Sequence, residues 1–152
     1  MTQSRLSKPV LILSGATALV ISLFILIAPV AFYQSYGIAL GDGPDLVNEL
    51  SAPAGMLLLA AVGMLSGVVW RSLTRAGLLL AVVIYCGYAL SRGVMMGLYG
   101  LPESGLIMAA MIEAVIGGLA GIALWRSLRL PLTRNEASGH RGKAGEPDAF
   151  VL

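Results

Sequence analysis

Two charged side chains lie inside long apolar stretches of the sequence, and their types suit either pairing or proton chemistry. Arg92 is the only basic residue within an apolar run, and Glu113 lies about half-way along the following run. A charged side chain at the centre of a membrane-spanning helix costs roughly 2.5–3.5 kcal/mol on an insertion scale, so such residues are usually paired or functional. The sequence therefore predicts that Arg92 and Glu113 meet between two helices.

Helical spacing places further polar side chains near this pair. Tyr85, Tyr88 and Arg92 are separated by three, four and seven residues, which puts them on one face of a helix. From the helical rise, Arg92 lies roughly 9 Å and Glu113 roughly 14 Å below the outer membrane boundary, within reach of the long arginine side chain. We expect a polar pocket that opens toward the outer side. It is predicted to be lined by Glu49, Tyr85, Tyr88, Arg92 and Glu113.

The same residues allow three interpretations, and the sequence leaves all of them open. A structural ion pair would fix the helix register, and loss of one partner would destabilise the fold through the remaining charge. A binding pocket would use the polar groups to hold a small molecule among apolar walls. A proton or ion path would use Glu113 as its carrier.

No cofactor or metal site is predicted. His140 and Cys86 are the only histidine and the only cysteine, so ligand sets of imidazole or thiolate cannot be assembled. The methionines near the outer turn suit adaptable packing better than copper binding, because neither residue type accompanies them. The sequence shows neither a Ser, His and Asp set nor a phosphate-binding loop with its lysine. We therefore expect no catalytic residues and a role other than catalysis.

Composition assigns the chain to the membrane proteins. Of its 152 residues, 57% are hydrophobic and 12% are charged, and the mean hydropathy is +0.85, which is far more apolar than a typical soluble domain. The net charge is +2, and Lys and Arg occur in short clusters instead of along one basic face. Nucleic acid is thus a poor candidate partner, whereas membrane lipid is an expected one.

Four apolar runs are each long enough to cross a membrane, which requires about 20 residues of helix. They cover about 9–32, 48–70, 76–98 and 104–125. The predicted fold is an all-α, integral membrane four-helix bundle over residues 9–130, preceded by a short lead (1–8). A polar tail (131–152) follows and is predicted to be disordered, because it lacks apolar periodicity. The first run shows no cleavage site, so we expect a retained helix.

Prolines mark the ends of the predicted helices. Pro29 lies near the outer end of the first helix, and Pro44 is suited to open the second, since proline fits a first helical position. Pro53 falls within the second apolar run and leaves the carbonyl of Glu49 without its usual partner. We expect either a kink at this point or a helix start near Glu49.

The distribution of basic residues predicts the orientation in the membrane. Except for Arg92, every Lys and Arg lies in the N-terminal lead, in the turn from Arg71 to Arg75, or after the fourth apolar run. The two other connectors contain none. By the positive-inside rule, the amino and carboxyl termini are both expected in the cytoplasm.

Two pairs of glycines are spaced for close helix contact. Gly63 with Gly67, and Gly117 with Gly121, each form a pattern of two small residues four apart. Such patterns let helix backbones approach closely in membranes. A homo-oligomer that uses these four glycines is therefore a further expectation.

The polar positions together resemble a known family. They are the stretch from Asn48 to Gly55 at the head of the second helix, Ser91 with Arg92, the turn from Gly100 to Ser104, and Glu113. This set is similar to the bacterial membrane family called domain of unknown function 4345, over about residues 10–130. The resemblance implies a four-helix protein of the bacterial cytoplasmic (inner) membrane and no particular reaction. A weaker similarity to DoxX-like four-helix membrane proteins rests on span count and size alone.

We expect a non-enzymatic binding or accessory function. Apolar walls with a few convergent polar groups suit a small amphipathic molecule or a lipid headgroup. The alternative is a proton-coupled small transporter or channel, in which Glu113 carries the proton and a dimer supplies enough helices. A membrane enzyme would need a nucleophile or metal ligand beside Glu113, and the sequence shows none.

Overall fold

The computed structural model describes residues 5–41 and 43–129, which form helices and connecting turns. Within these ranges there are five α-helices and one short 3-10 helix, Arg71–Leu73. The α-helices are α1 (Ser7–Ile27), α2 (Pro29–Gln34), α3 (Pro44–Val69), α4 (Thr74–Tyr99) and α5 (Ser104–Arg129). The predicted all-α fold is confirmed. The predicted disordered tail (131–152) and the first four residues of the lead lie outside the described residues.

Four of these helices, α1, α3, α4 and α5, are long and apolar enough to cross a membrane. The shortest, α1, has 21 residues, which extend over roughly 30 Å, the thickness of the hydrocarbon core. Each of the four carries large apolar side chains that are more than half exposed, and such surfaces suit lipid. Examples are Val20, Leu59, Val83 and Val115. The chain is therefore a multi-pass membrane protein.

The first apolar run forms two helices, where one helix over 9–32 was expected. α1 ends at Ile27, and Ala28 leaves the helical region with φ −142° and ψ 64°. Pro29 causes this break, because a proline disfavours helical geometry at the residue before it. Its ring is compatible with a first helical position, so α2 begins there. α2 then packs against α1 and α3.

α3 begins at Pro44, the residue suited to open it, which is four residues before the predicted span 48–70, and it continues through its internal proline. Gly43 is extended, and Pro44 begins the helix, as the fixed φ of proline favours. The helix then runs without interruption past Pro53 to Val69, so the start expected near Glu49 does not occur. Pro53 has no N–H to donate to the Glu49 carbonyl, which removes one hydrogen bond from the first part of α3.

α1 and α4 are the two inner helices of the bundle. α1 packs against α3, α4 and α5, whereas no close backbone approach joins α3 and α5 in the described structure. α4 also packs against both α3 and α5. The diagonal pair α1 and α4 is therefore in contact while the pair α3 and α5 is not, and α1 and α4 form the short diagonal of the bundle. Small side chains fill much of the core and allow the helices to approach closely. The fully buried alanines are Ala18, Ala61, Ala81, Ala120 and Ala123.

Three of the four glycines expected at helix contacts face other helices of the same chain. A Cβ added at Gly67 would come within 3.1 Å of an α1 side chain. A Cβ added at Gly63 or Gly117 would come within 2.8 or 2.7 Å of an α4 side chain. These glycines therefore allow close packing within the bundle. Gly121 has open space instead, and association between copies stays a prediction.

The two ends of the bundle differ in charge. One end holds the described basic side chains other than Arg92. At this end Arg75 Nη2 donates a hydrogen bond to the Ser127 carbonyl oxygen at 2.9 Å, which joins the start of α4 to the end of α5. The opposite end carries acidic side chains, among them Asp45 and Glu103. The candidate site lies at this acidic end.

Candidate ligand-binding cavity

A cavity of about 630 Å³ lies between the helices at the acidic end of the bundle. All five α-helices contribute to its walls. Its volume falls within the roughly 300–1,000 Å³ that is typical of pockets for small ligands. Much of the wall is aliphatic and is formed by Ala18, Ile21, Ile25, Leu50, Leu57, Ile84, Leu106 and Ile112. The cavity therefore offers a mainly apolar interior.

All five residues that were predicted to form a polar pocket line this cavity. One comes from α3, three from α4 and one from α5. They are Glu49, Tyr85, Tyr88, Arg92 and Glu113. The structure brings these side chains around one space, and within the described residues only Arg92 and Glu113 of this set bond to each other.

Arg92 and Glu113 form an ion pair that joins α4 to α5. Arg92 Nε donates a hydrogen bond to Glu113 Oε2 at 2.9 Å. The two side chains are 32% and 16% exposed, so the pair is screened less than a surface pair. The contact uses one guanidinium nitrogen and one carboxylate oxygen. The remaining polar atoms of both groups make no hydrogen bond to a described residue.

The two tyrosines of α4 have different roles. The Tyr85 hydroxyl donates a hydrogen bond to the Ser14 carbonyl oxygen at 2.6 Å, and Tyr85 is buried. This bond joins α4 to α1 along the short diagonal. Tyr88 is partly buried against the core, and its hydroxyl makes no hydrogen bond within the described part of the chain. Tyr85 thus joins two helices, while the Tyr88 hydroxyl has no hydrogen-bond partner among the described residues.

Glu49 is an exposed carboxylate among the residues that line the cavity. It lies in the second turn of α3. No described residue forms a hydrogen bond or an ion pair with its side chain. Its charge is therefore uncompensated by a direct partner and adds to the electrostatic potential of the cavity.

An aromatic cluster on the cavity wall was not predicted from the sequence. The ring centre of Phe32 lies 5.2 Å from that of Tyr33 and 5.3 Å from that of Tyr36, and all three residues line the cavity. The Tyr33 hydroxyl donates a hydrogen bond to the Leu50 carbonyl oxygen at 2.7 Å, which holds α2 against α3. The sequence feature that could have indicated this cluster is the spacing of Tyr33 and Tyr36, which are three residues apart at the end of an apolar run.

The Tyr33 hydroxyl stays protonated at neutral pH. Burial raises the pKa of this phenol above its usual value, and the neighbouring Tyr88 raises the pKa further. Arg92 also lies near enough to act on it and lowers the pKa to a smaller extent. The bond from Tyr33 to α3 therefore persists over the physiological pH range, because the phenol keeps the proton that it donates.

The polar groups of the cavity suit binding by charge, hydrogen bonds and ring contacts. They are one ion pair, one further carboxylate and several phenols. Within residues 5–41 and 43–129, no three His, Cys, Asp or Glu side chains are placed to hold a metal ion. Phenols and carboxylates accept hydrogen bonds, and aromatic rings attract cations. The arrangement can hold a molecule that has a polar head and an apolar tail.

Breaking the ion pair from either side should destabilise the protein. We expect Arg92→Met and Glu113→Gln each to lower the free energy of unfolding by about 1–3 kcal/mol, because each leaves one charge without its partner. The loss should stay below the roughly 3–5 kcal/mol of a fully buried pair, since these side chains are partly exposed. The double variant should lose less than the sum of the two. Unfolding in mixed micelles of a mild and a denaturing detergent measures the free energy of unfolding of all three variants.

Glu103→Gln is the matched control for this experiment. Glu103 is an exposed acid at the same end of the bundle, and no described residue forms an ion pair with it. Its replacement should change the free energy of unfolding by less than about 0.5 kcal/mol. Strictly additive losses in the double variant would show that Arg92 and Glu113 do not interact in the folded protein.

Comparison of the chain with known protein families gives a match that covers nearly the whole helical bundle. The family described as domain of unknown function (DUF4345) matches residues 6–124, which include all five predicted pocket residues. No curated protein and no solved structure gives a significant match. The family match confirms the resemblance that the head of α3, Arg92 and Glu113 suggested. The chain therefore belongs to the DUF4345 family of proteins.

Proposed function

We propose that this protein holds a small amphipathic molecule, or the headgroup of a lipid, in its cavity and acts without catalysis in the bacterial inner membrane. The observation that carries the proposal is a mainly aliphatic space of about 630 Å³ that also contains the Arg92–Glu113 ion pair. The apolar part of the ligand would lie against the aliphatic wall. Its polar part would reach the ion pair and the Tyr88 hydroxyl.

The energetics of the cavity favour a ligand with both an apolar and a polar part. Burial of apolar surface contributes roughly 25 cal/mol per Å², which the aliphatic wall supplies. A polar group that loses water without gaining a partner costs roughly 1–3 kcal/mol. A purely apolar ligand would displace water from the Tyr88 hydroxyl and the second Glu113 oxygen without giving either a new hydrogen-bond partner. A purely polar ligand would gain little from the wall.

Filling the cavity should remove the bound molecule. We expect Ala109→Trp, on the cavity wall, to lose the small molecule that co-purifies with the wild-type protein in native-lipid nanodiscs, because the indole occupies the space that a ligand needs. Val115→Trp is the matched control on the same helix, since Val115 is exposed on the bundle surface. Mass spectrometry of the extracted small molecules and lipids gives the readout.

Retention by Val115→Trp and loss in Ala109→Trp, at equal helical content, would support the binding function. The proposal fails if the wild-type protein enriches no molecule over the surrounding lipid, or if Ala109→Trp retains it in full. Flux of the molecule into liposomes that is abolished by Glu113→Gln would instead favour the alternative function, a proton-coupled transporter or channel.

We also propose that the cavity opens on the outer side of the membrane, with both termini in the cytoplasm. The support is the charge of the two ends of the bundle. The described basic residues other than Arg92 lie at the end away from the cavity. Positive residues in short loops favour the cytoplasmic side of a membrane, so the acidic end with the cavity would face outward.

Cysteine labelling tests this orientation. In a Cys86→Ala background, Ser104→Cys at the start of α5 should react with a membrane-impermeant maleimide in intact spheroplasts, because it lies at the cavity end. Ser72→Cys lies in the turn at the basic end and should react only after the membrane is permeabilised. The opposite labelling pattern would place the cavity on the cytoplasmic side.

A further inference from the structure

The charges that line the cavity indicate the class of ligand. Two carboxylates, Glu49 and Glu113, and one guanidinium, Arg92, line it. In their ionised forms they give the cavity a net charge of −1. Arg92 is already paired with Glu113, so Glu49 supplies the charge without a direct partner. An anionic ligand would meet a guanidinium that is engaged and a carboxylate that repels it.

The surroundings of the cavity have the same sign. Asp45 and Glu103 lie on the segments at this end of the bundle, and among the described residues of this end Arg92 is the one basic side chain. Charges of one sign around a low-dielectric opening raise the local concentration of ions of the opposite sign. The field at this end of the bundle therefore favours cations.

The aromatic residues add an independent preference. Five rings line the cavity, two from α4 and three from α2 and the turn after it. They belong to Phe32, Tyr33, Tyr36, Tyr85 and Tyr88. The face of an aromatic ring attracts ammonium groups, and clusters of rings are a common means of holding quaternary ammonium ligands. Rings and carboxylates together therefore favour a positively charged head.

We propose that the ligand is a lipophilic cation, with an ammonium group on an apolar tail. The ammonium group would lie among the tyrosine rings and the carboxylates of Glu49 and Glu113, and the tail would lie along the aliphatic wall. Arg92 holds Glu113 through one oxygen, which leaves the other oxygen for the ammonium group. This inference rests on the binding function proposed above and adds the charge of the ligand.

Three probes with the same tail and different heads test the charge of the ligand. Octyltrimethylammonium, octyl sulfate and 1-octanol are each titrated against the full chain in phosphatidylcholine nanodiscs, and equilibrium dialysis measures the bound probe. Empty nanodiscs give the partition into lipid. Because the quaternary ammonium carries a fixed charge, protonation does not affect the comparison. We expect octyltrimethylammonium to bind at least about tenfold more tightly than octyl sulfate.

Two variants test whether the preference for a cationic probe comes from a residue that lines the cavity. Glu49→Gln should weaken the binding of octyltrimethylammonium at least about threefold and leave that of 1-octanol unchanged, because it removes charge and keeps shape. Glu103→Gln is the matched control, since Glu103 is an exposed acid at the same end that does not line the cavity. Glu103 acts on the cavity only through screened solvent, so its replacement should weaken the affinity less than about twofold, and clearly less than Glu49→Gln does.

Different results would contradict the proposed charge of the ligand and the proposed binding function. Equal or tighter binding of octyl sulfate would contradict the proposal that the ligand is a cation, and so would an unchanged octyltrimethylammonium affinity in Glu49→Gln. Neither result would contradict the binding function. If no probe binds above empty nanodiscs, or if Ala109→Trp binds octyltrimethylammonium as well as the wild type, the binding function fails together with the cation. Selective binding that is lost in Ala109→Trp supports both.

Discussion

A guanidinium and a carboxylate within membrane-spanning helices must find polar partners inside the protein, because lipid offers none. Here the Arg92–Glu113 ion pair meets that requirement with a 2.9 Å bond between α4 and α5. The pairing restricts the rotation of both helices about their axes. In this arrangement Tyr85 reaches α1 and Tyr88 lines the cavity. The charge pair thus acts together with the Tyr85 and Arg75 hydrogen bonds to fix α4 beside the cavity.

The two ends of the bundle differ in how closely the helices pack. In the middle and at the basic end, alanines and glycines let the helices approach closely, and Arg75 joins α4 to α5. At the acidic end, larger side chains and the aromatic cluster of α2 surround a cavity of about 630 Å³. A site of this kind depends on rigid elements that hold its walls apart. The closely packed end supplies that rigidity.

Local features of the sequence account for much of this architecture. The four spans and the meeting of Arg92 with Glu113 follow from apolar runs, helical rise and the cost of charge in a membrane. The break before Pro29 is also a local effect, but the apolar run continues past it and conceals the helix end. The bond from Tyr33 to Leu50 depends on which elements become neighbours in space. No residue spacing along the chain encodes that neighbourhood.

The distance between Arg92 and Glu113 in a lipid bilayer tests the central claim most directly. Solid-state NMR on protein with ¹⁵N-labelled arginine and ¹³C-labelled glutamate carboxyls measures the dipolar coupling between Arg92 Nε and the Glu113 carboxyl carbon. We expect a strong coupling, as the 2.9 Å bond between Arg92 Nε and Glu113 Oε2 requires, and its loss in Glu113→Gln. A wild-type spectrum without this coupling would contradict the ion pair and, with it, the arrangement of the cavity.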